Sequence, residues 1–483
     1  MNPLQEERNH ALKLGDPNRR ARERVEELLD PGSFLEVGLL AKDRTHGRAE
    51  KSPADALIAG YGRVNGHRVG VISLDGTVLA GSGGHAASAK QARIVDEAYQ
   101  RGFPLITFGE GGGGRIPDMM GSSLGFDGAI ARADTNVLTR LARRDRPFAL
   151  ISCCMGEMYG DPSFKLGLAD FPIMVKTASL GVSGPPVIRA ALGEVVSGEE
   201  LGGPQVHGRN GQVARIEDSE ADVIATVGRI LNFVLVPQRE SADSVDRETS
   251  EIADILPASH QRAYNVRKVV RAIVDQDCEP LELWPDFGPT AQAYLARLGG
   301  RSIAVFANNP LVQGGVFDVD SARKGSLLIR RCDRFGLPML FLHDVPGFII
   351  GKQAEADGLL GFAMQYISDL SSSSVPKLSL VLRKAYGLAY FAMAGPGWGG
   401  DYVAALPSAR MAFMGPEPGI NLVYAKKLAE AEDRTDVLAE LTAQWDQRAE
   451  PWEAAHAASI DDIIEPRESR PKLIQALRAL TDD

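Results

Sequence analysis

Four consecutive glycines followed by an arginine form the most unusual local feature of this 483-residue sequence. The run Gly111–Gly114 and Arg115 come directly after a predicted strand at 105–108 and before a predicted helix start. Glycine lets the backbone approach a ligand closely and present its N–H groups, so the run predicts a cradle for an anion or a thioester. A flexible turn between strand and helix is the alternative. The spacing matches neither the phosphate loop nor the dinucleotide-binding pattern, which disfavours ATP and NAD.

Two turns of similar composition each follow a predicted apolar strand. They are Tyr159-Gly160-Asp161 in the first half and Tyr386-Gly387-Leu388-Ala389 in the second. Paired backbone N–H groups at such a strand end can point at one carbonyl oxygen and hold the negative charge of an enolate. Either turn alone is equally consistent with an ordinary loop, but their occurrence as a pair favours the chemical interpretation.

Side chains that could serve as bases, nucleophiles or metal ligands are scattered along the sequence. Asp344 follows a predicted strand, but an aspartate close to Pro-Gly is typical of a turn, so no proton-transfer role is assigned to it. His85 and His207 are isolated, and the G-x-S-x-G elbow of a serine hydrolase is absent from the sequence. Cys278 and Cys332 belong to no Cys-x-x-Cys pair, so the spacing predicts no metal site.

These candidate segments lie in two halves of the chain that repeat one another, residues 60–190 and residues 300–420. Four residues of the first half recur in the second at a constant offset of 234. The matched residues are Gly81, Lys90, Gly102 and Pro104 with Gly315, Lys324, Gly336 and Pro338. Each half places short apolar strands between helical patterns, which predicts βαβ units with right-handed crossovers and an α/β fold in both halves.

A polar stretch at residues 236–262 separates the halves and predicts a linker. We place the domain boundary near residue 245, with one domain at 1–245 and the other at 246–483. The tail after residue 425 is rich in Ala, Glu, Leu and Arg, which predicts helices with breaks near Pro451 and Pro466.

The composition restricts the class of protein. A net charge of -10 and a pI near 5.5 disfavour nucleic acid as a partner, because such binding draws on clustered lysine and arginine. Four cysteines are too few for a disulfide framework, and Cys153 and Cys154 lie in an apolar run, which indicates a reducing compartment. The polar amino terminus lacks the apolar core of a signal peptide, and no apolar run approaches the roughly 18 residues of a membrane span. A cytoplasmic protein without a membrane partner is predicted.

Taken together, the motifs resemble the biotin-dependent carboxyltransferase family, the β subunits of propionyl-CoA and related acyl-CoA carboxylases. The resemblance covers about residues 20–475. In the first half it rests on GSGGHAASAKQARIVDEA, GGGGRIP, LADFPIMVKTASLGVSGPPVI and GEVVSGEELGGPQVH. In the second half it rests on ANNPLVQGGVFDVDSARKGSLLIRRCDRFGLPMLFLHDVPGF, VLRKAYGLAYFAMAG and AFMGPEPG.

This resemblance implies two tandem crotonase-like (ClpP/crotonase) ββα-superhelix domains in a subunit that assembles into a hexamer. It implies that the first half binds acyl-CoA and the second binds carboxybiotin, which a separate biotin carboxylase and biotin carrier chain supplies, and that the chain itself holds no metal. Motif matching places Gly160 and Asp161 in one backbone oxyanion hole, and Leu388 and Ala389, after Gly387, in the other. The remaining candidates for binding CoA or biotin are Gly111, Gly112, Gly113, Gly114, Arg115, Lys90, Gly347 and Phe348.

Asp161 and Leu388 depart from the family's pattern, which commonly has glycine at both positions. A carboxylate beside a developing enolate opposes its charge, and leucine would be strained at a position of positive φ. Phe391 stands where the family has an acidic residue thought to guide acyl choice, which favours an acyl group bulkier than acetyl. Three interpretations follow: a carboxyltransferase subunit, a decarboxylase subunit acting on a malonyl- or methylmalonyl-type CoA thioester, and a biotin-independent descendant that binds acyl-CoA.

Overall fold

The computed structural model describes residues 2–43, 47–115 and 136–481. Two compact units divide the chain, Met1–Leu235 and Val236–Asp483. Within the described ranges each unit contains one eight-stranded sheet, in which most neighbouring strands are parallel, with helices packed against it. Both units therefore have the predicted α/β architecture.

The first unit orders its strands β1-β2-β3-β4-β5-β6-β8, and β7 pairs with β5. Its described strands are β1 Leu35–Glu36, β2 Leu57–Val64, β3 His67–Leu74, β4 Leu105–Gly111, β5 Leu150–Tyr159, β6 Phe171–Val175, β7 Ser179–Gly181 and β8 Arg215–Glu217. Its described helices are α1 Pro3–Ala11, α2 Arg20–Leu28, α3 His85–Arg101, α4 Val137–Ala142, α5 Asp161–Gly167, α6 Pro185–Leu192, α7 Gly198–Gly202, α8 Pro204–His207 and α9 Glu220–Leu235.

The second unit repeats this order as β9-β10-β11-β12-β13-β14-β16, with β15 paired to β13. Its described strands are β9 Leu281–Leu283, β10 Ala291–Leu298, β11 Arg301–Asn308, β12 Met339–Val345, β13 Lys377–Tyr386, β14 Tyr402–Ala405, β15 Arg410–Ala412 and β16 Asp462–Ile463. Its described helices are α10 Glu251–Ile255, α11 Val266–Ile273, α12 Val319–Phe335, α13 Lys352–Ala356, α14 Leu359–Ser372, α15 Leu388–Ala392, α16 Pro416–Val423, α17 Ala425–Ala429, α18 Arg434–Arg448, α19 Pro451–His456 and α20 Ser469–Leu480.

The repeat offset of 234 holds residue for residue from β2 to the end of β4. The elements β2, β3, α3 and β4 have the bounds of β10, β11, α12 and β12 when 234 is added. Both helices end at a glycine in the left-handed conformation, Gly102 at φ 68° and Gly336 at φ 62°. Such a glycine closes a helix without the strain that a Cβ would add, which explains why glycine occurs at both positions.

A bulge interrupts the same ladder in both units. Pairing between β4 and β5 shifts register between Gly109 and Gly111, and pairing between β12 and β13 shifts between His343 and Val345. From β5 onward the repeat offset is 227. With this offset β5 corresponds to β13, and each strand ends at the tyrosine of a Tyr-Gly pair. A bulge bends its strand and redirects the chain that follows, so it positions the loops at this edge of each sheet.

Apolar strand residues meet helices in the core of each unit. In the first, Ile72 and Leu105 pack with Ile94 of α3, and all three are buried. In the second, Leu340 and Val270 of α11 belong to a larger buried cluster. Burial of each such side chain contributes about 1.5–3 kcal/mol, so the sheets form rigid platforms for the loops.

Residues 236–262, predicted as a linker, pack on the second unit. Ile252 is buried, and the Arg470 guanidinium donates to the Ser244 carbonyl at 3.2 Å and pairs with Asp243 at 3.3 Å. In sequence the stretch resembles a linker because it is mostly polar. Its polar side chains and carbonyls bond to residues far along the chain, and such contacts leave no local sequence pattern.

Candidate active site

Each unit has a glycine of unusual backbone conformation directly after a ten-residue strand. We refer to residues 159–161 as the first turn and to residues 386–389 as the second turn. Gly160 has φ 70° and ψ -135°, and Gly387 has φ 62° and ψ -150°. Residues with a Cβ are strained there, so both turns require glycine. Leu388 follows in the helical conformation without a positive φ, so the strain anticipated for it from the sequence is absent.

The N–H groups of the two glycines are bonded within the fold. The Gly160 N–H donates to the Val182 carbonyl at 3.2 Å, and the Gly387 N–H donates to the Ala412 carbonyl at 2.9 Å. These bonds fix each turn against the segment at or just after a short strand, β7 or β15. The Gly160 N–H, predicted as half of an oxyanion hole, is therefore occupied by a protein carbonyl.

The next N–H groups along each turn have no acceptor in the part of the chain that the structure describes. They belong to Asp161, the first residue of α5, and to Leu388 and Ala389, the first two residues of α15. The first N–H groups of any helix lack a partner within that helix. Pro162 follows Asp161 and has no N–H, so the first turn offers one donor where the second turn offers two.

The glycine run lies against the first turn. A Cβ at Gly113 would lie 3.4 Å from the Asp161 nitrogen and 3.1 Å from the Tyr159 carbonyl oxygen, and Gly113 has φ 87°. A side chain there would cover the open donor, so the close approach explains a glycine at this position. Gly112 has open space on its Cβ side, and Gly114 forms a bridge with Gly83. Gly113 of the run therefore lies beside the Asp161 N–H.

The equivalent loop of the second unit has the same pairing at the offset of 234. Phe348 forms a bridge with Phe317, as Gly114 does with Gly83, and the two phenylalanine rings pack 4.9 Å apart. Gly347 has φ 135° with open space where a Cβ would point. The structure therefore places Gly347 as an open backbone position and gives the Phe348 ring a packing contact.

Lys90 and Arg115, predicted as ligand-binding residues, direct their charges into the first unit. The Lys90 ammonium donates to the carbonyls of Ala54, at 3.0 Å, and Leu57, and burial lowers its pKa to about 8. The Arg115 guanidinium pairs with Asp55 at 2.9 Å, and both side chains are buried. Sequence alone could not distinguish binding of a ligand from bonding within the fold, because a basic residue beside a glycine run is also typical of anion sites.

Two carboxylates occupy the bulges, and sequence reasoning identified only one of them. Glu110 accepts from the Gly76 N–H at 2.9 Å and from Arg24 at 3.1 Å. Asp344, at the offset of 234, is fully buried and pairs with Arg383 at 2.9 Å. The repeat offset could have located Glu110. Both carboxylates are held by arginines.

The tyrosine that begins each turn is held as a neutral side chain. Burial raises the pKa of Tyr159, whose hydroxyl is 2.7 Å from the Ser179 hydroxyl, and raises the pKa of Tyr386 to about 12. A Cβ at Gly184 would lie 2.9 Å from the Tyr159 ring, and one at Gly415 would lie 3.5 Å from the Tyr386 ring. The close approach explains glycine at position 184, whereas a Cβ at Gly415 would make an ordinary packing contact.

His207 has a structural role. Its Nε2 is 2.8 Å from the Leu180 carbonyl oxygen, and Gly202 lies so close to that oxygen that a Cβ would overlap it at 1.7 Å. The described residues include no group of His, Cys, Asp and Glu arranged to hold a metal ion. Among the same residues no helix is long and apolar enough to cross a membrane.

Known proteins share the sequence and the fold of this chain. The family model described as "Carboxyl transferase domain" matches residues 17–483. The propionyl-CoA carboxylase carboxyltransferase subunit of Haloferax mediterranei is 33% identical, over 99% of this chain and 95% of that relative. Methylmalonyl-CoA decarboxylase subunit alpha of Propionigenium modestum is 31% identical, over 95% of this chain and 90% of its own.

A solved structure of transcarboxylase 12S, described as a hexamer with methylmalonyl-CoA and methylmalonic acid bound, superposes with a TM-score of 0.86. The two chains are 30% identical, and the match covers 99% of this chain and 94% of the transcarboxylase chain. The predicted fold of two tandem crotonase-like domains and the predicted carboxyltransferase function are both confirmed. The chain belongs to the carboxyl transferase domain family.

Proposed function

We infer that this chain moves a carboxyl group from carboxybiotin to the α-carbon of an acyl-CoA. The observation that carries the proposal is the pair of turns with open N–H donors at repeat-related positions, one around Asp161 and one at Leu388 and Ala389. Carboxylation at that carbon passes through an enolate, whose oxygen is stabilised by preorganised N–H groups. Two such sites suit a reaction in which two carbonyl-type oxygens must be held.

The first unit is the proposed site for the thioester. The Asp161 N–H donates to the thioester oxygen, and the backbone of Gly112 and Gly113 leaves room for that oxygen to approach. Because the first turn supplies one donor only, a second N–H would come from the glycine run. Lys90 and Arg115 support the surrounding backbone from inside the unit and make no contact with the ligand.

The second unit is the proposed site for biotin. Two adjacent N–H groups without acceptors, at Leu388 and Ala389, and the open backbone at Gly347 fit a ureido oxygen and the ring that carries it. Carboxybiotin, when bound, supplies the carboxyl group. Glu110 and Asp344 are held by arginines, so this chain contributes backbone donors to the reaction and no side-chain base at either bulge.

The proposed substrate is a short acyl-CoA larger than acetyl-CoA. Phe391, whose ring packs 5.1 Å from that of Tyr390 and 5.5 Å from that of Trp398, stands where the family has an acidic residue thought to guide acyl choice, and an apolar residue there favours an acyl group bulkier than acetyl. Relatives with the names propionyl-CoA and methylmalonyl-CoA support the same size class. The proposed partner is a separate biotin carboxylase and biotin carrier chain, working with this one in the cytoplasm.

The proposed assembly is a homohexamer. Exposed apolar side chains recur at repeat-related positions: Val182 with Phe413, and Leu192 with Val423. Their exposed fractions are 74%, 83%, 72% and 61%. Paired apolar exposure of this kind is typical of surfaces that a second subunit covers.

A decarboxylase is the second candidate, favoured by the relative of that name in Propionigenium modestum. The same N–H donors would stabilise the enolate that forms when a carboxyl group leaves a methylmalonyl-type thioester. A forward assay separates the two. With propionyl-CoA, ATP, bicarbonate and a biotin carboxylase with its biotinylated carrier, the proposal predicts formation of methylmalonyl-CoA that depends on this chain. No product with propionyl-CoA, acetyl-CoA or butyryl-CoA would contradict it.

A further inference from the structure

The carboxylate of Asp161 is paired with a lysine one helical turn further along α5. Lys165, four residues on in α5, forms an ion pair with it, and the Lys165 ammonium also donates to the side-chain oxygen of Gln91 on α3. The Lys165 side chain is 11% exposed, whereas that of Asp161 is 49% exposed. A nearly buried cation that Gln91 holds in place is therefore paired with a half-exposed anion.

The second unit has none of these three groups. At the repeat offsets, Asp161 corresponds to Leu388, Lys165 to Ala392 and Gln91 to Gly325. The carboxylate, the cation and the amide thus occur together in one half and are absent together from the other. Such joint occurrence is expected if the lysine and the glutamine position the carboxylate. A lysine that only stabilised the fold would not need a carboxylate at residue 161.

An unpaired carboxylate at this position would interfere with the donor. Carboxylates accept readily from the unbonded N–H groups at the start of a helix, and a negative charge there opposes a developing oxyanion. Both effects act on the Asp161 N–H, which is the open donor of the first turn.

Building on the proposed function, we propose that Lys165 is a positioning residue for the first turn. It draws the Asp161 carboxylate away from the turn and balances its charge, and Gln91 keeps the Lys165 side chain in place. The carboxylate stays in the protein as one half of an ion pair, and the N–H of the same residue is left for the thioester oxygen.

The test compares Lys165→Met, Asp161→Asn and the double variant with the wild-type chain in acyl-CoA turnover. Lys165→Met should lower kcat about tenfold or more, with a smaller change in KM, because the loss falls on the enolate. Adding Asp161→Asn should restore turnover to within about threefold of the Asp161→Asn variant alone, since no charge remains to be balanced. Lys165→Arg should retain turnover.

A purely structural role for Lys165 predicts a different pattern. The double variant would then be at least as impaired as Lys165→Met, and its melting temperature would fall with its activity; that result overturns the proposal. An inactive wild-type chain would count against the proposed function alone. In that case a crystal structure of the Lys165→Met variant decides: the carboxylate should fold back onto the first N–H groups of α5, and an unmoved carboxylate refutes the inference.

Discussion

Gly160 and Gly387 adopt the backbone conformation that redirects each strand into the helix after it. Their own N–H groups are bonded to neighbouring carbonyls, so the next N–H along the chain is the first without an acceptor. Asp161 and Leu388 can therefore carry side chains, because the proposed site uses only their backbone. This accounts for a chain that departs from the family's glycines at both positions and still has open donors.

Alanine at either turn glycine should impair turnover. Gly160→Ala or Gly387→Ala places a Cβ in a region that costs about 1–3 kcal/mol and moves the adjacent N–H, so we expect kcat to fall about tenfold or more. Gly228→Ala in α9 is the matched control, since its φ is ordinary and no heavy atom lies within 4 Å of the new Cβ. Steady-state kinetics of the three variants would test this, and full turnover by Gly160→Ala would exclude the first turn from the site.

Glycine at positions 161 and 388 should change the rate only modestly. Asp161→Gly and Leu388→Gly keep the N–H groups and the helical φ, so we expect turnover within about tenfold of wild type, a difference near 1.4 kcal/mol. The measurement is kcat/KM for each single variant and for the double. An inactive wild type whose double variant gains transfer would instead identify a descendant with its original chemistry switched off.

At the scale of elements, the bulges place the loops. Glu110 and Asp344 occupy the points where β4 and β12 leave register with their neighbours, and each is tied to an arginine. Just after the bulges, Gly114 and Phe348 form bridges with Gly83 and Phe317, which lie two residues before α3 and α12. The bridges and the register shifts are the same in both units although the side chains differ, so the shared backbone determines the geometry of these loops.

The sequence repeat made most of the element order predictable, whereas the contacts of individual side chains could not be predicted from it. The constant offset predicted that α3 and α12 are equivalent, since both carry a lysine and a closing glycine at matching positions. The role of Lys90 was missed because its acceptors are main-chain carbonyls, which have no sequence signature. The first turn has a single N–H donor because Pro162 has no N–H. This could be predicted only by knowing that a helix begins at Asp161, and helix boundaries are the feature that sequence patterns predict least well.

Lys90 should give the first unit a distinctive pH dependence. Its pKa in the folded chain is about 8, below the ordinary 10.5, because burial penalises the charged form. The unfolded chain binds this proton more tightly, so the contribution of Lys90 to stability rises from pH 8 to pH 10.5 and is lost as the pH falls through 8. We expect the stability difference between wild type and Lys90→Met to shift by up to about 3 kcal/mol over this window.

Urea unfolding of both proteins at several pH values in this window would measure that difference. Lys176→Met is the control, because Lys176 is exposed and pairs with Asp218 at the surface. Its difference from wild type should stay flat. A flat difference for Lys90→Met as well would contradict burial of the Lys90 charge.

At the scale of the whole molecule, one architecture is used twice, and its two turns are not equivalent. The first turn has one donor beside a glycine run and an ion pair, and the second turn has two donors beside an apolar, aromatic cluster. Divergence of this kind within a shared backbone suits a protein that binds two chemically different reactants.

Assembly can be tested by mass. Six copies of the 51.9-kDa chain would weigh about 310 kDa by light scattering, and the substitutions Leu192→Glu and Val423→Glu should reduce that mass by placing charges on apolar contacts. Leu4→Glu on α1 is the control, since Leu4 is also exposed but has no counterpart in the repeat. A wild-type chain that remains a monomer would contradict the hexamer.

The most direct test of carboxyl transfer uses this chain alone with methylmalonyl-CoA and free biotin, run in the reverse direction. The carboxyl group should leave the thioester for the biotin ureido nitrogen, the α-carbon should gain a proton, and propionyl-CoA should appear at a rate that depends on biotin. Mass spectrometry of the CoA thioesters, with and without biotin, measures this. Biotin-dependent formation of propionyl-CoA is the predicted result; methylmalonyl-CoA that binds but stays intact, or is lost equally without biotin, would contradict the account.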